Sequence, residues 1–159
     1  MKKKLLAIFV IALLLVTGCG KSSGKVFDEG NFKITLTENF EKKTLPSATY
    51  YYENNKDNIG VTVLLETYDA LKAINITKDT SLKEYADIII KQMPTATMKT
   101  EGNFMYFTYS KAVSGNTYFY MPTMFKGENG FYLLNFFCLE KDKDASMDKF
   151  ISWAKTVEV

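Results

Sequence analysis

Residues 131–139, Phe131-Tyr132-Leu133-Leu134-Asn135-Phe136-Phe137-Cys138-Leu139, are largely apolar in both of their alternating registers. Successive side chains of a β-strand point to opposite faces of the sheet, so a strand of this composition is apolar on both faces. Residues 104–110 show the same pattern. Strands that face water on one side alternate apolar with polar residues. We therefore expect these strands at the centre of a sheet that is covered on both faces.

Turn-forming residues divide most of the remaining chain into predicted antiparallel hairpins. The clearest alternation of apolar and polar residues is in Phe32-Lys33-Ile34-Thr35-Leu36. The predicted strand pairs are residues 26–27 with 32–36, 49–53 with 59–66, 97–101 with 104–110, and 117–126 with 131–139. Residues 40–46 are expected to form a connection, and residues 68–76 a helical turn.

Two segments have the periodicity of helices that pack on a sheet. Ser81-Leu82-Lys83-Glu84 has the S-x-x-E form of a capping box, and apolar residues follow at spacings of three and four until Pro94 ends the helix. After a polar turn at residues 140–144, Met147, Phe150 and Ile151 recur at helical spacing. The sequence therefore predicts an α/β fold, in which a mostly antiparallel sheet is covered by helices on both faces as an α/β/α sandwich.

This order of hairpins, capped helix, long strands and final helix resembles the Mog1/PsbP-like proteins. The resemblance covers most of residues 26–159 and rests on element order and on pieces such as Phe32-Lys33-Ile34-Thr35-Leu36 and Ser81-Leu82-Lys83-Glu84-Tyr85. It implies a binding or accessory role, because that fold serves different partners in unrelated settings. It names no ligand, and no functional residue is carried over from it.

The first residues have the order of an export signal. Three lysines, Lys2 to Lys4, precede about a dozen apolar residues, and Val16-Thr17-Gly18-Cys19 resembles a bacterial lipobox. The apolar run is shorter than the roughly 20 residues that a membrane-spanning helix requires. We expect residues 1–18 to be a lipoprotein signal peptide that is cleaved between Gly18 and Cys19.

Acylation of Cys19, for example by palmitate, then anchors the chain to the outer face of the cell membrane of a Gram-positive bacterium. Residues 19–25 are small and polar, which is typical of a flexible tether, and residues 26–159 are predicted to form a single domain. An ordinary secretory signal, with Cys19 incidental, is the alternative. It fits less well because the A-x-A-like site of such signals is missing.

The composition excludes several kinds of site. The chain has no His, and all 20 of its basic residues are Lys. Catalytic triads with His, imidazole metal sites and bidentate Arg clamps are therefore excluded. Without Lys2, Lys3 and Lys4 the chain has 17 basic residues against 18 acidic ones, a balance that does not favour nucleic acid. We expect no enzyme activity and no cofactor.

Two weaker candidates have ordinary structural explanations. Glu140, Asp142, Asp144 and Asp148 form an acidic cluster, but lysines interleave them and their spacing does not match a Ca²⁺ loop, so a solvated helix start fits better and no metal site is expected. Cys138 lies within an apolar strand, where a small buried hydrophobe fits better than a catalytic thiol.

Tyrosines are the candidate binding residues. Tyr50, Tyr51 and Tyr52 with Tyr118 and Tyr120 can form an aromatic platform for a sugar, peptide or lipid. Tyr106 and Tyr109 fit the same platform. The alternative, which burial statistics favour, is that these rings line the core beneath the helices. Consecutive tyrosines must in either case point to opposite faces of their strand.

The sequence thus predicts a membrane-anchored extracytoplasmic lipoprotein that acts as a non-catalytic binding or accessory module at the cell surface. Its expected partners are the membrane, through the anchor, and a membrane protein complex or a small ligand, with no nucleic acid. Two alternatives stay open. One is an exported hydrolase that uses Lys and carboxylate chemistry, and the other is a peptide pheromone released from the apolar tail of the signal at residues 14–18.

Overall fold

A computed structural model describes residues 24–159 of the chain. The predicted signal, the cleavage site between Gly18 and Cys19, and the acylation of Cys19 lie outside these residues. The strands are β1 (Lys25–Asp28), β2 (Lys33–Leu36), β3 (Glu41–Lys43), β4 (Tyr50–Asn54), β5 (Ile59–Thr67), β6 (Lys99–Glu101), β7 (Phe104–Tyr106), β8 (Tyr109–Val113), β9 (Asn116–Lys126) and β10 (Gly130–Leu139). The helices are α1 (Tyr68–Leu71), α2 (Leu82–Ile90) and α3 (Lys143–Ala154), with 3₁₀ turns at Lys72–Ile74 and Glu140–Asp142.

The main sheet of the described region is antiparallel throughout, as the sequence predicted. Its order is β3-β4-β5-β10-β9-β7-β6, and β8 pairs with β9 beyond the end of β7. The strand β10, which is largely apolar in both registers, lies between β5 and β9 at the centre of the sheet, as predicted. A separate two-stranded sheet joins β1 to β2. The predicted hairpins that open the domain and that join β4 to β5 are both confirmed.

One face of the main sheet is covered by α3 and by the β1–β2 hairpin, and we call it the α3 side. The ring of Phe136 on β10 lies 5.4 Å from that of Phe150 and 6.5 Å from that of Trp153, both on α3. On the same face, the ring of Phe27 on β1 lies 4.5 Å from that of Tyr52 on β4. These rings are buried, and they form the larger of two apolar clusters.

The opposite face, the α2 side, is covered by α2 at one end. The ring of Tyr85 on α2 stacks on that of Phe131 at 4.1 Å with an interplanar angle of 2°. The predicted capping box is present: the Ser81 N–H donates to Glu84 Oε2 at 2.7 Å, and the Glu84 N–H donates to Ser81 Oγ at 3.2 Å. Helices therefore lie on both faces, but α2 leaves the far end of its face without helical cover.

Several boundaries differ from the predicted ones. The strand β1, the first in the described region, begins at Lys25, one residue before the predicted strand. The predicted connection at residues 40–46 contains the short strand β3, which pairs with β4. The predicted strand at residues 104–110 is divided into β7 and β8, and the second part continues to Val113.

Pro122 explains the division between β7 and β8. Both strands pair with β9 in the same register, so Phe107 lies opposite Pro122. The Phe107 N–H donates to the Pro122 carbonyl oxygen at 3.2 Å. Proline has no N–H to donate in return, so the ladder loses one bond at this position.

Candidate functional site

The uncovered end of the α2 side carries five aromatic side chains, which we call the aromatic face: Tyr51, Tyr109, Tyr118, Tyr120 and Phe137. Register places them on one side of the sheet, since residues directly opposite each other in an antiparallel pair share a face. Phe137 pairs with Tyr120, and Tyr120 pairs with Tyr109. All five residues are half-buried, so each ring is partly open to solvent.

Phe137 lies at the centre of the aromatic face. Its ring centroid is 6.1 Å from that of Tyr120, 6.4 Å from that of Tyr118 and 6.4 Å from that of Tyr51. The ring rests over Gly60 of β5, where an added Cβ would come within 2.1 Å of a Phe137 ring carbon. Gly60 therefore provides the space that lets Phe137 lie against the sheet.

Tyrosines extend the face from Phe137 to the edge of the sheet. The rings of Tyr109 and Tyr120 stack at 5.0 Å with an interplanar angle of 15°, and Tyr118 lies 6.3 Å from Tyr120. Tyrosine offers a large apolar ring and a hydroxyl that can donate or accept a hydrogen bond. The arrangement suits non-covalent binding, in which rings pack against a partner while hydroxyl groups make directed contacts.

Three hydroxyl groups of the aromatic face, those of Tyr51, Tyr109 and Tyr120, have a raised pKa and stay protonated at neutral pH. Burial, together with the neighbouring Glu53 carboxylate, raises the pKa of Tyr51 to about 12. The pKa of Tyr120 is raised by burial and by Tyr118. The pKa of Tyr109 is raised by burial and by Tyr120, against the effect of a hydrogen bond from Asn135. These groups are therefore hydrogen-bonding partners and not nucleophiles.

The structure separates the predicted tyrosines into two groups. It brings Tyr51, Tyr118 and Tyr120 together with Tyr109. It places Tyr50 and Tyr52 on the α3 side, where Tyr52 is fully buried and Tyr50 stacks on Phe32 at 5.6 Å. Tyr106 also faces the core of the α3 side.

Phe137 was missed among the predicted binding residues. The strand pattern assigned it to an apolar register beneath a helix, together with Phe131. The signal that identifies it is the glycine opposite it: Gly60 interrupts the apolar strand β5 at the position that pairs with Phe137. A glycine within a strand often marks a close approach by another group.

Cys138 and Glu140, the weaker candidates from the sequence, lie in environments that a structural role explains. Cys138 is buried, and burial raises the pKa of its thiol. Glu140 accepts from Lys143 Nζ at 2.8 Å and from the Ser110 hydroxyl, and the pKa of its carboxyl is lowered by these contacts. Residues 24–159 contain no group of three or more His, Cys, Asp or Glu side chains arranged to hold a metal ion.

The helices of residues 24–159 are all too short or too polar to cross a bilayer.

Solved structures with little sequence identity share the fold. A Bacteroides thetaiotaomicron protein, known from a crystal structure at 1.50 Å resolution, matches with a TM-score of 0.57 and 13% identity over 86% of this chain. The chain spans 48% of that protein, about half its length. LpqN of Mycobacterium tuberculosis, described as involved in cell envelope biogenesis, matches with a TM-score of 0.52 and 10% identity over 87% of this chain and 86% of its own.

The cyanobacterial PsbP protein CyanoP, from Synechocystis sp. PCC 6803, matches with a TM-score of 0.42 and 10% identity over 89% of this chain and 95% of its own. That score is too low to support an argument. No protein-family model matches the chain, and no curated protein does. At identities this low, the similarity to the Bacteroides protein and to LpqN shows a common fold and says nothing about function.

Proposed function

We propose that this chain is a lipid-anchored protein of the outer face of the cell membrane, which binds a partner non-covalently through its aromatic face. It acts either as an accessory to a membrane protein complex or as a receptor for a ligand, without catalysis. The domain is proposed to be a Mog1/PsbP-like α/β/α sandwich in which α2 covers its face only in part.

The observation that carries this proposal is the aromatic face. Five half-exposed rings form a continuous surface across β4, β10, β9 and β8, and Leu64 of β5 is 37% exposed on the same side of the sheet. Contiguous apolar patches on the surface of a soluble domain mark interaction sites. Tyr and Phe are also enriched at the centres of protein interfaces relative to the rest of the surface.

The first described residue, Gly24, lies on the opposite side of the sheet from the aromatic face. Gly24 lies against the Leu36 carbonyl and the Thr35 side chain of β2, on the α3 side of the sheet. Cys19 is five residues earlier, so the proposed anchor lies within about 18 Å of Gly24 along an extended chain. The aromatic face is on the opposite side of the sheet, and we infer that it points away from the bilayer.

The chemistry of the described residues supports binding over catalysis. The hydroxyl groups of Tyr51, Tyr109 and Tyr120 have raised pKa values, and the Cys138 thiol is buried. The extracytoplasmic role that we propose is compatible with the common fold of LpqN, a protein described as involved in cell envelope biogenesis, although that fold does not itself assign a role.

Native mass spectrometry of the protein extracted gently from its own cells tests the proposal. We expect the wild-type protein to carry a bound mass or a co-purifying protein, and Tyr120→Ala to lose it because the central stack with Tyr109 and Phe137 is removed. Tyr120→Phe is the matched control, since it keeps the ring and removes only the hydroxyl. A wild-type protein that is always bare, or a bound species that Tyr120→Ala retains, contradicts the proposal.

A further inference from the structure

The main sheet of residues 24–159 has three outer strands, β3, β6 and β8, and β8 is longer and less charged than the other two. β3 has the sequence Glu-Lys-Lys and β6 has Lys-Thr-Glu, so each has three residues of which two or three are charged. Short, charged edge strands resist pairing with other chains. β8 has five residues, Tyr-Ser-Lys-Ala-Val, with a single charge. It pairs with β9 on one side, and no described strand pairs with its other side.

The outer side of β8 presents main-chain groups that are ready to pair. The Phe107 N–H points toward β9, because it donates to the Pro122 carbonyl. Main-chain groups alternate in direction along a strand, so the N–H and C=O groups of Tyr109, Lys111 and Val113 also point toward β9. Those of Ser110 and Ala112 therefore point outward.

The turn that closes the β8–β9 hairpin supports this assignment. Val113 pairs with Asn116 across two residues, Ser114 and Gly115, both of which have positive φ angles of 50° and 85°. In two-residue hairpins of this type the flanking pair exchanges both hydrogen bonds, so Val113 faces β9. No main-chain hydrogen bond from Ser110 or Ala112 to another loop or turn occurs among the described residues.

The side chains at this edge are exposed to solvent. Ser110, Lys111, Ala112 and Val113 are exposed, and Val113 is 40% exposed. Tyr109, Lys111 and Val113 lie on the same side of the sheet as the aromatic face, because Tyr109 and Lys111 pair with Tyr120 and Tyr118. The edge is thus continuous with the proposed binding surface.

We propose that the outer edge of β8 binds an extended segment of a partner protein as an added strand, with an acidic side chain opposite Lys111. Main-chain bonds to Ser110 and Ala112 give this mode its affinity, and alternate side chains of the added strand lie along the aromatic face. Lys111 forms no ion pair among residues 24–159, so its charge is available to the partner. The inference rests on the proposed function and specifies its partner.

A second copy of this chain fits the edge less well. Two identical edges related by a two-fold axis pair antiparallel, and in the register that uses all of β8 each Lys111 lies opposite the other copy's Lys111. Like charges directly opposite each other destabilise a strand pair. An acidic residue at that position gives an attractive pair, which favours a different polypeptide as the partner.

Selection from a display library of random nine-residue peptides against the full-length protein in detergent tests the inference. We expect enriched peptides to alternate β-branched or aromatic residues and to contain one Asp or Glu. Ala112→Pro removes an outward N–H but no bond to β9, and it should weaken binding of the selected peptides roughly tenfold or more. Ala112→Thr keeps the N–H and should change binding by no more than about twofold.

Charge reversal tests the role of Lys111. Lys111→Glu should weaken the binding of the acidic peptides by roughly two- to fivefold. Replacing the acidic residue of the peptide with Lys should restore binding to this variant. In the wild-type protein, a bound peptide should slow hydrogen exchange at the Ser110 and Ala112 amides.

Failure of this inference is distinguishable from failure of the proposed function. Selected peptides that bind Ala112→Pro normally but require Tyr120 overturn the edge assignment and leave the aromatic face as the binding site. If selection against the wild-type protein enriches no peptide that selection against the Ala112→Pro variant does not also enrich, the proposal of an added strand at β8 is wrong. If Tyr120→Ala also fails to change the species seen by native mass spectrometry, the proposed function fails as well.

Discussion

Gly60 and Phe137 are the residue pair on which the aromatic face is built. A methyl group at position 60 would lie within 2.1 Å of the Phe137 ring, so Gly60→Ala must displace the ring. We expect Gly60→Ala to lower the free energy of unfolding by about 1–3 kcal/mol, the usual cost of overpacking, as measured by urea denaturation.

A double-mutant cycle provides the control for this effect. Phe137→Leu removes the ring that the new methyl group meets, so adding Gly60→Ala to Phe137→Leu should cost at least about 1 kcal/mol less than adding it to the wild type. If the two costs are equal, the strain lies in the backbone of β5 and not in the contact with Phe137.

The raised pKa of Tyr51 makes the stability of the fold depend on pH in the alkaline range. In the folded chain it is about 12, above the ordinary value of 10.0. The folded state therefore holds this proton more tightly than the unfolded state, and the resulting stability is fully present below pH 10 and is lost as the pH rises toward 12. Tyr51→Phe should make the fall in stability between pH 10 and 12 shallower. An unchanged slope would show that Tyr51 does not contribute to it.

Individual residues show how far the sequence could predict the site. The alternation of a strand required Tyr51 to point away from Tyr50 and Tyr52, and this is what the structure has. The sequence could not show which side would be left uncovered, because α2 is only nine residues long and its position over Phe131 depends on tertiary packing. Phe137 was missed for the same reason.

At the scale of elements, α2 depends on its first turn. Ser81→Ala removes the acceptor for the Glu84 N–H and should lower the free energy of unfolding by about 1 kcal/mol. Ser81→Gly should cost only a few tenths of a kcal/mol, since glycine is itself tolerated at this position. Urea denaturation of the two variants measures the difference. Equal stabilities for Ser81→Ala and wild type would mean that packing of Tyr85 on Phe131 fixes the helix without the cap.

The strands show which elements local pattern could and could not predict. Long strands with apolar residues on both faces, such as β10, were predicted with nearly correct ends. The strand β3 was missed, because Glu41-Lys42-Lys43 has no apolar residue that would mark it as a strand. The division between β7 and β8 was also missed, since its cause is Pro122 on a neighbouring strand.

For the whole molecule, the first prediction concerns the anchor. Cys19→Ala should release the protein from the membrane fraction and remove the mass of the acyl chains, because the proposed attachment is through that thiol. Cell fractionation and intact mass spectrometry measure both effects. The domain should remain folded, since residues 24–159 form a complete core without it. A variant that is equally membrane-bound and unchanged in mass would contradict the prediction that the chain is a lipoprotein acylated at Cys19.

The sides of the sheet on which the described residues begin and on which the aromatic face lies determine how the proposed anchor would orient the binding surface. Gly24, five residues after the proposed anchor, lies on the α3 side, and the aromatic face lies on the α2 side of the same sheet. The sequence predicted that both faces of the sheet are covered, but it could not show which face the β1–β2 hairpin covers. That choice depends on long-range contacts such as the one between Phe27 and Tyr52.

Photo-crosslinking in intact cells with p-benzoyl-phenylalanine at two positions tests whether the aromatic face is the binding surface. Position 118 lies on the aromatic face, and position 26 is a control on the β1–β2 hairpin, where Val26 is 61% exposed. We predict a discrete crosslinked species from position 118 that is absent from position 26. Crosslinks of equal yield from both positions, or from position 26 alone, would contradict the claim that the aromatic face is the binding surface.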